Sequence, residues 1–328
     1  MKINLLISIV CCLLYVDQSF AQKRNVYFLK NSGAEVKVID SADFIRIVSE
    51  PDSGSVLFNV SEMYLNKARK LIGKSSRVMP LSLEGQCITY YPSGIKREIV
   101  NYKQNIKDGD AYEFYPNGQL YTYKKYISSN SGTDARFLIV SCNDSTGKAL
   151  TVNGNGYYIR YDENFKNIVE EGNVKSGLKD GKWQGIFENR LGNKINRALF
   201  TEEYNTGKLI SGQVVDENNK TYNYTVREAQ PQYRGGMEAF YRYLAQNIRY
   251  PYNARRNNIS GKVICQFVVE KDGSLTDFKV IRSPDNDLSE EALRILRQSP
   301  NWMPGIQFGQ PVRVMYTVPI DFTLGTPR

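Results

Sequence analysis

The clearest pattern in the chain lies near its end. From Val312, the residues Val312, Val314, Tyr316, Val318, Ile320 and Phe322 alternate with Arg313, Met315, Thr317, Pro319 and Asp321. This two-residue period is that of a half-buried β-strand. Pro319 has no amide hydrogen to give to a neighbour, which places the strand at the edge of a sheet. Upstream, Met237, Phe240, Tyr241, Leu244 and Ile248 fall at helical spacing between Gly235-Gly236 and Pro251. The stretch NNISGKVICQFVVEKDGSLTDFKVIRS then reads as two alternating strands joined at Lys271-Asp272-Gly273. A second helix follows: Asp287 as N-cap, Glu290 completing a capping box, and Leu288, Ala292, Ile295 and Leu296 on one apolar face. The order helix, strand, strand, helix, strand predicts a small α+β domain over 229–328, with two helices on one face of a mainly antiparallel three-stranded sheet.

The preceding two-thirds follow another rhythm. Tyr91-Pro92-Ser93-Gly94 recurs 24 residues on as Tyr115-Pro116-Asn117-Gly118, and Lys107-Asp108-Gly109 recurs 72 residues on as Lys179-Asp180-Gly181. Each phrase reads as a β-hairpin turn flanked by tyrosine-rich strands. A lone hairpin cannot bury its face, so the units are expected to stack into an all-β repeat domain over 56–228, with lead-in strands over 22–55 and an insertion or an irregular unit at 126–160. Trp183 is the expected anchor between strands. The 23 tyrosines are read as core packing in preference to a ligand-binding face.

Composition narrows the function. Lys plus Arg exceed Asp plus Glu by 43 to 34, but the +9 charge is dispersed and forms no phosphate-tracking stripe, so nucleic acid is not the expected partner. With no histidine in the chain, hydrolases of the Ser-His or Cys-His kind are excluded. No carboxylate pair stands out from surface charge: Asp285, Asp287, Glu290 and Glu291 read as favourable charges at a helix N-terminus. The chain is read as a non-enzyme with no cofactor and no metal.

Residues 1–21 read as a signal peptide: one lysine, an apolar run from Ile3 to Val16, then Ser19-Phe20-Ala21 before a cut at Gln22. The run is shorter than the ~20 residues a membrane-spanning helix needs; an uncleaved inner-membrane anchor is the alternative. Three cysteines remain, Cys87, Cys142 and Cys265. Cys265 sits on the apolar side of its strand, and a Cys87–Cys142 disulfide stays open.

Two resemblances extend this reading. The Gly, Tyr and Trp spacing over roughly 56–225, with GNVKSGLKDGKWQGIF, YNTGKLISG and DENNKTYNY returning late, resembles the MORN-like repeats of bacterial antitoxin-type and envelope proteins. In the C-terminal part the matching positions begin with Gly235-Gly236, Tyr250-Pro251, Ala254, Gly261-Lys262-Val263 and Asp272-Gly273. They continue with Val280, Arg282-Ser283, Glu291-Ala292, Trp302, Pro304-Gly305, Gly309, Pro311-Val312, Val318-Pro319-Ile320 and Phe322. Together these resemble the TonB C-terminal domain in its Bacteroidetes form, over about Pro231 to Leu324.

The resemblance implies an energy-transducer relative in the periplasm or cell envelope. There it would take part in TonB-dependent transmembrane transport by adding an outer-membrane receptor peptide as a strand to its last edge. The implied partner-binding positions are Arg313, Met315, Thr317, Pro319 and Asp321. The partner is a TonB-dependent receptor or another envelope protein, a homodimer through the same edge being the other occupant. Membrane association would come only through partners or an uncleaved N-terminus. Neither a long anchor nor a Pro-rich spacer is read in the chain. The competing expectation is therefore a non-transducing envelope scaffold whose repeats bind a protein, lipid or glycan.

Overall fold

The computed structural model describes residues 24–127, 136–191 and 194–324. The apolar run of residues 1–21 and the cut expected before Gln22 lie outside them. Two compact units result, 1–156 and 157–328. The chain is mostly β, with a long strand-rich region ahead of a small helical domain.

In the first unit each strand pairs antiparallel with the next, from Arg24–Leu29 with Phe44–Ser49 to Arg136–Asn143 with Ala149–Val152. Several connections share one turn. At Tyr91–Ile95, for example, Tyr91 N–H donates to Ile95 O and Gly94 N–H to Tyr91 O. The same pair of bonds closes Tyr64–Ala68, Tyr115–Gln119 and Asp144–Lys148. The fourth residue takes positive φ, +86° at Gly94 and +88° at Gly118, which is the three-residue hairpin loop with its bulge. Asp144–Lys148 falls in the stretch expected to be irregular, and its turn is the regular one. Tyrosine hydroxyls link successive turns: Tyr64 donates to Tyr90 O, Tyr91 to Phe114 O and Tyr115 to Asn143 O, at 2.7–2.9 Å.

One face of this unit carries Val48 opposite Val60 and Cys87 opposite Val100, which is opposite Ala111. All are at most 4% exposed. Cys87, Cys142 and Cys265 are buried thiols, so the disulfide left open by the sequence does not form. Burial pushes the Cys87 thiol up to about 12 and that of Cys265 to about 11, which keeps both unreactive at neutral pH. Carboxylates enter the same interior with partners: Glu62, 2% exposed, binds Arg46 at 2.7 Å and Lys70 at 2.8 Å.

The second unit continues with antiparallel strands Ile168–Lys175, Leu178–Leu191, Lys194–Asn205, Lys208–Val215 and Thr221–Tyr224. Trp183 is fully buried; its Nε1 donates to Asn173 O, and a Cβ at Gly172 would fall 2.4 Å from its ring. The glycine is there because the indole lies on its backbone. Glu170 is surrounded by Lys179 at 2.9 Å, Arg160 at 3.1 Å and Arg227 at 3.7 Å. Burial raises the Glu170 pKa, and the attraction of the three cations outweighs it, leaving the carboxyl below its usual 4.5. Lys179 is itself pushed down by burial, so the stabilisation rests on the group rather than on one pair. A lowered folded-state value means the contribution is complete above about pH 4.5 and is lost as pH falls through the folded value. Glu170→Gln is expected to flatten the acid limb of a melting-temperature profile below pH 4.5 and to lower stability at pH 7.

The helical domain joins these strands without a linker. Residues Gly236–Asn247, Tyr252–Arg256 and Asn286–Arg297 are helical, and strands Gly261–Val269, Leu275–Arg282 and Val314–Phe322 form the sheet. Phe240, Leu244, Leu288, Ala292, Ile295, Leu296 and Trp302 pack on the side of the sheet carrying Val263, Cys265, Phe267, Val318, Ile320 and Phe322. Three details correct the sequence reading. A short helix at 252–256 was not foreseen, and Tyr241 is 49% exposed although it was placed on the apolar face. The second long helix starts earlier than expected. Its N-cap is Asp285, whose carboxylate accepts from Asp287 N–H at 2.8 Å, while the Ser283 hydroxyl donates to Asp285 O. Extended at φ −157° just after Pro284, Asp285 has the geometry a cap needs; Asp287 lies inside the first turn.

Candidate functional site

The predicted terminal strand is broken at Arg313. Residues Gln310–Val312 pair with Gly305–Gln307, which pair in turn with Glu228–Ala229. Val314–Phe322 pairs with Gly261–Val269 in one unbroken register, from Val314 opposite Val269 to Phe322 opposite Gly261. At the break, Arg313 Nε donates to Glu270 Oε1 at 2.8 Å and its terminal nitrogen bonds Asp277. The guanidinium therefore ties the start of the strand to the other two strands of the sheet.

The sheet order is 275–282, 261–269, 314–322, so the terminal strand is an edge, opposite the strand 275–282. The two edges differ. Pairing of 275–282 is interrupted by two register shifts, and Asp277 sits at φ +50°, features that blunt an edge against further pairing. The terminal edge runs for nine residues with no shift.

Its side chains alternate as expected. Val318, Ile320 and Phe322 are at most 2% exposed, whereas Met315 is 65% exposed and Thr317 and Asp321 are also exposed. Pro319 is half-buried opposite Ile264. Gln266 Nε2 reaches Thr317 Oγ1 at 3.5 Å, and Lys262 lies 3.5 Å from Asp321. Four of the five positions singled out from the sequence thus lie along one edge, and Arg313 sits at the break just before it with its charge already satisfied. A concavity of about 350 Å³ opens at the start of the edge, lined by Lys271, Ile306, Val312, Arg313 and Val314 among others.

Residues 246–324 match the family described as the Gram-negative bacterial TonB protein C-terminal. This stretch is a TonB C-terminal domain. Two curated relatives, both named Protein TonB and from Helicobacter pylori strains 26695 and J99, are each 33% identical over 94 and 93 residues. The match covers 27% of this chain and 33% of each relative, so the chain spans about a third of the length of the curated relatives it matches.

The TonB C-terminal domain has a second conspicuous feature, which sequence reasoning missed. In the turn Gln307-Phe308-Gly309-Gln310, Phe308 and Gly309 take φ +47° and +70°, the two-residue type I′ geometry usually met by Asn-Gly. Phe308 is 2% exposed, with its ring 4.4 Å from Phe187, 5.3 Å from Phe200 and 5.9 Å from Tyr224, and the Arg227 guanidinium lies 4.6 Å from the ring. Arg227 also binds Glu202 at 3.3 Å, and that carboxylate accepts from the hydroxyls of Tyr204 and Tyr224. The domain is thereby fastened to strands 178–224. The only signal was a bulky residue where Asn would be expected before Gly309. Among the described residues no helix is long and apolar enough to cross a membrane.

Proposed function

We propose that this is a TonB-family envelope protein whose terminal strand captures an extended segment of an outer-membrane receptor in TonB-dependent transport, with the preceding MORN-like array holding another envelope component. The observation that carries the reading is the long, regular, unblunted edge at 314–322 within a TonB C-terminal domain.

Chemistry fixes which residues would be used. Pro319 has no N–H, so the pair Ile264–Pro319 belongs to the non-hydrogen-bonded class. In an unshifted antiparallel register every odd residue shares that class. Met315, Thr317 and Asp321 then turn their N–H and C=O groups away from the sheet, toward an incoming strand, with Arg313 just before the contact and Pro319 inside it offering its C=O alone. Met315 and Thr317 would meet the partner's side chains on the exposed face. Membrane attachment would come through the receptor, or through residues 1–21 if they remain uncut.

Thr317→Pro tests this. It removes an outward donor and leaves the inward bonds intact, so the variant is expected to fold and to bind a fluorescent peptide from the N-terminal plug segment of a TonB-dependent receptor at least tenfold more weakly. Thr317→Val is expected to stay within about twofold, because main-chain groups carry the affinity; one lost hydrogen bond is worth ~1 kcal/mol and the clash of the ring adds to it. Val318→Pro removes an inward bond and is expected to destabilise the domain itself. Equal binding by wild type and Thr317→Pro would sink the edge-docking reading in favour of a scaffold with no transport role.

A further inference from the structure

Helix 236–247 carries an apolar strip that its own fold leaves largely open. The neighbouring helix 286–297 packs over strands 275–282 and 261–269, with the Arg297 guanidinium 5.8 Å from the Phe278 ring. The two helices lie side by side: the Tyr243 hydroxyl donates to Ile295 O at 3.0 Å, and Arg294 donates to Asn247 O at 2.9 Å. The place left for helix 236–247 is above the terminal strand. Near its start Phe240 lies 5.2 Å from Trp302, whose ring is 5.4 Å from Tyr316; past its end Tyr250 lies 5.9 Å from Phe322. The helix therefore runs along the edge strand from Tyr316 toward Phe322.

Its period settles which flank faces the open edge. Phe240 and Leu244 point into the core, and Tyr243 marks the flank that meets the neighbouring helix. Tyr241 is two residues, about 200°, from Tyr243, so it lies on the opposite flank, beside the edge. Met237 and Ala245, each four residues away, share that flank. Met237 is half-buried and Tyr241 and Ala245 are exposed, while Glu238, Arg242 and Gln246 make the outer surface polar. The hydroxyls of Tyr243 and Tyr250 donate to Ile295 O and Ile259 O, whereas that of Tyr241 has no protein partner among the described residues. Below the strip the edge strand is incompletely covered: Val314 and Tyr316 are half-buried, in contrast to Val318, Ile320 and Phe322.

We infer that Tyr241 determines the specificity of the edge: it roofs the side chain that an incoming strand places beside Tyr316 and Val318, and selects an aliphatic or aromatic residue there. The inference rests on strand addition at 314–322. A strand added ~4.8 Å from the edge sets alternate side chains on the helix side, in line with Tyr316, Val318 and Ile320, and the others beside Met315 and Thr317. The partner is thus an extended receptor segment with apolar residues at every second position and polar residues between them. An apolar side chain beneath Tyr241 takes its ring and the outer flank of Tyr316 out of water. A charged one loses hydration and meets no counter-charge on the strip. Tyrosine is among the residues on which binding energy concentrates.

The test is binding of the fluorescent receptor plug-segment peptide to the full chain. Tyr241→Ala is expected to weaken it at least fivefold with an unchanged urea midpoint, since the ring lies outside the core. Tyr241→Phe is expected to stay within about twofold. Peptides carrying serine at one position at a time are expected to lose affinity for wild type at alternate positions only, and one of those losses is expected to vanish in Tyr241→Ala. Should Tyr241→Ala fail to fold, the serine scan on wild type decides alone. Thr317→Pro separates the two readings. If it binds as well as wild type, edge docking and this inference fall together. If it weakens binding while Tyr241→Ala does not, or while serine is tolerated equally at every position, the edge docks a strand without selecting its side chains, and this inference alone is overturned.

Discussion

Gly273→Ala is expected to lower the stability of the C-terminal domain by about 2–5 kcal/mol. Gly273 holds φ +85°, and a Cβ built there falls 2.0 Å from the carbonyl oxygen of Trp302. The obstacle is backbone, so no rotamer change relieves it. Trp302 N–H donates to Gly273 O at 2.8 Å, and the clash pushes apart the two segments this bond holds. Left-handed backbone costs a residue with a Cβ roughly 1–2 kcal/mol, and overpacking adds about 1–3 kcal/mol. Against the ~5–15 kcal/mol of a whole domain, the loss brings the fold close to its limit. Trp302 is 1% exposed and packs edge-on to Phe240, Phe267 and Tyr316, so its displacement disturbs the core beneath the terminal strand. Urea unfolding measures the effect. Gly273→Asn separates the causes: asparagine tolerates positive φ but keeps the Cβ, and is expected to recover only a minor part of the loss. A change under about 1 kcal/mol for Gly273→Ala would mean that the Trp302 loop yields freely.

Phe308→Ala is expected to cost about 3–5 kcal/mol, the range for emptying a buried aromatic site, and to split the unfolding of residues 157–328 into two transitions. The ring fills the space among Phe187, Phe200 and Tyr224 and stacks on Arg227. Its left-handed backbone is strained, and burial of the ring offsets that strain. Phe308→Asn loses the ring but relaxes the turn, so its cost is expected to be about 1 kcal/mol smaller than that of Phe308→Ala, the difference being the strain. Calorimetry of the full chain reads both values. One transition with an unchanged midpoint would show that Phe308 is not what couples the helical domain to strands 178–224.

Much of the helical domain was legible because its signals are local. The alternation around Val318 and Ile320 and the stripe Leu288, Ala292, Ile295 and Leu296 identified buried faces that the fold confirms. What the sequence did not yield depends on distant partners. The break at Arg313 comes from Glu270 and Asp277, 43 and 36 residues away. Asp285 displaces Asp287 as the cap through the geometry that Pro284 and Ser283 impose. Phe308 looked like an ordinary apolar residue, because its role requires Phe187, Phe200 and Tyr224 to be gathered beneath it. Of the candidate site, the alternation and Pro319 gave the strand and its edge position, whereas the contrast with the bulged opposite edge needed the fold.

Amide-resolved hydrogen exchange along 314–322, with and without a saturating receptor peptide, tests the docking account most directly. In the free protein the amides of Tyr316, Val318, Ile320 and Phe322 are expected to exchange slowly and those of Met315, Thr317 and Asp321 quickly. With peptide bound, Met315, Thr317 and Asp321 are expected to become protected. Odd-numbered amides that are already slow in the free protein, or that stay fast with the peptide bound, would contradict strand addition at this edge.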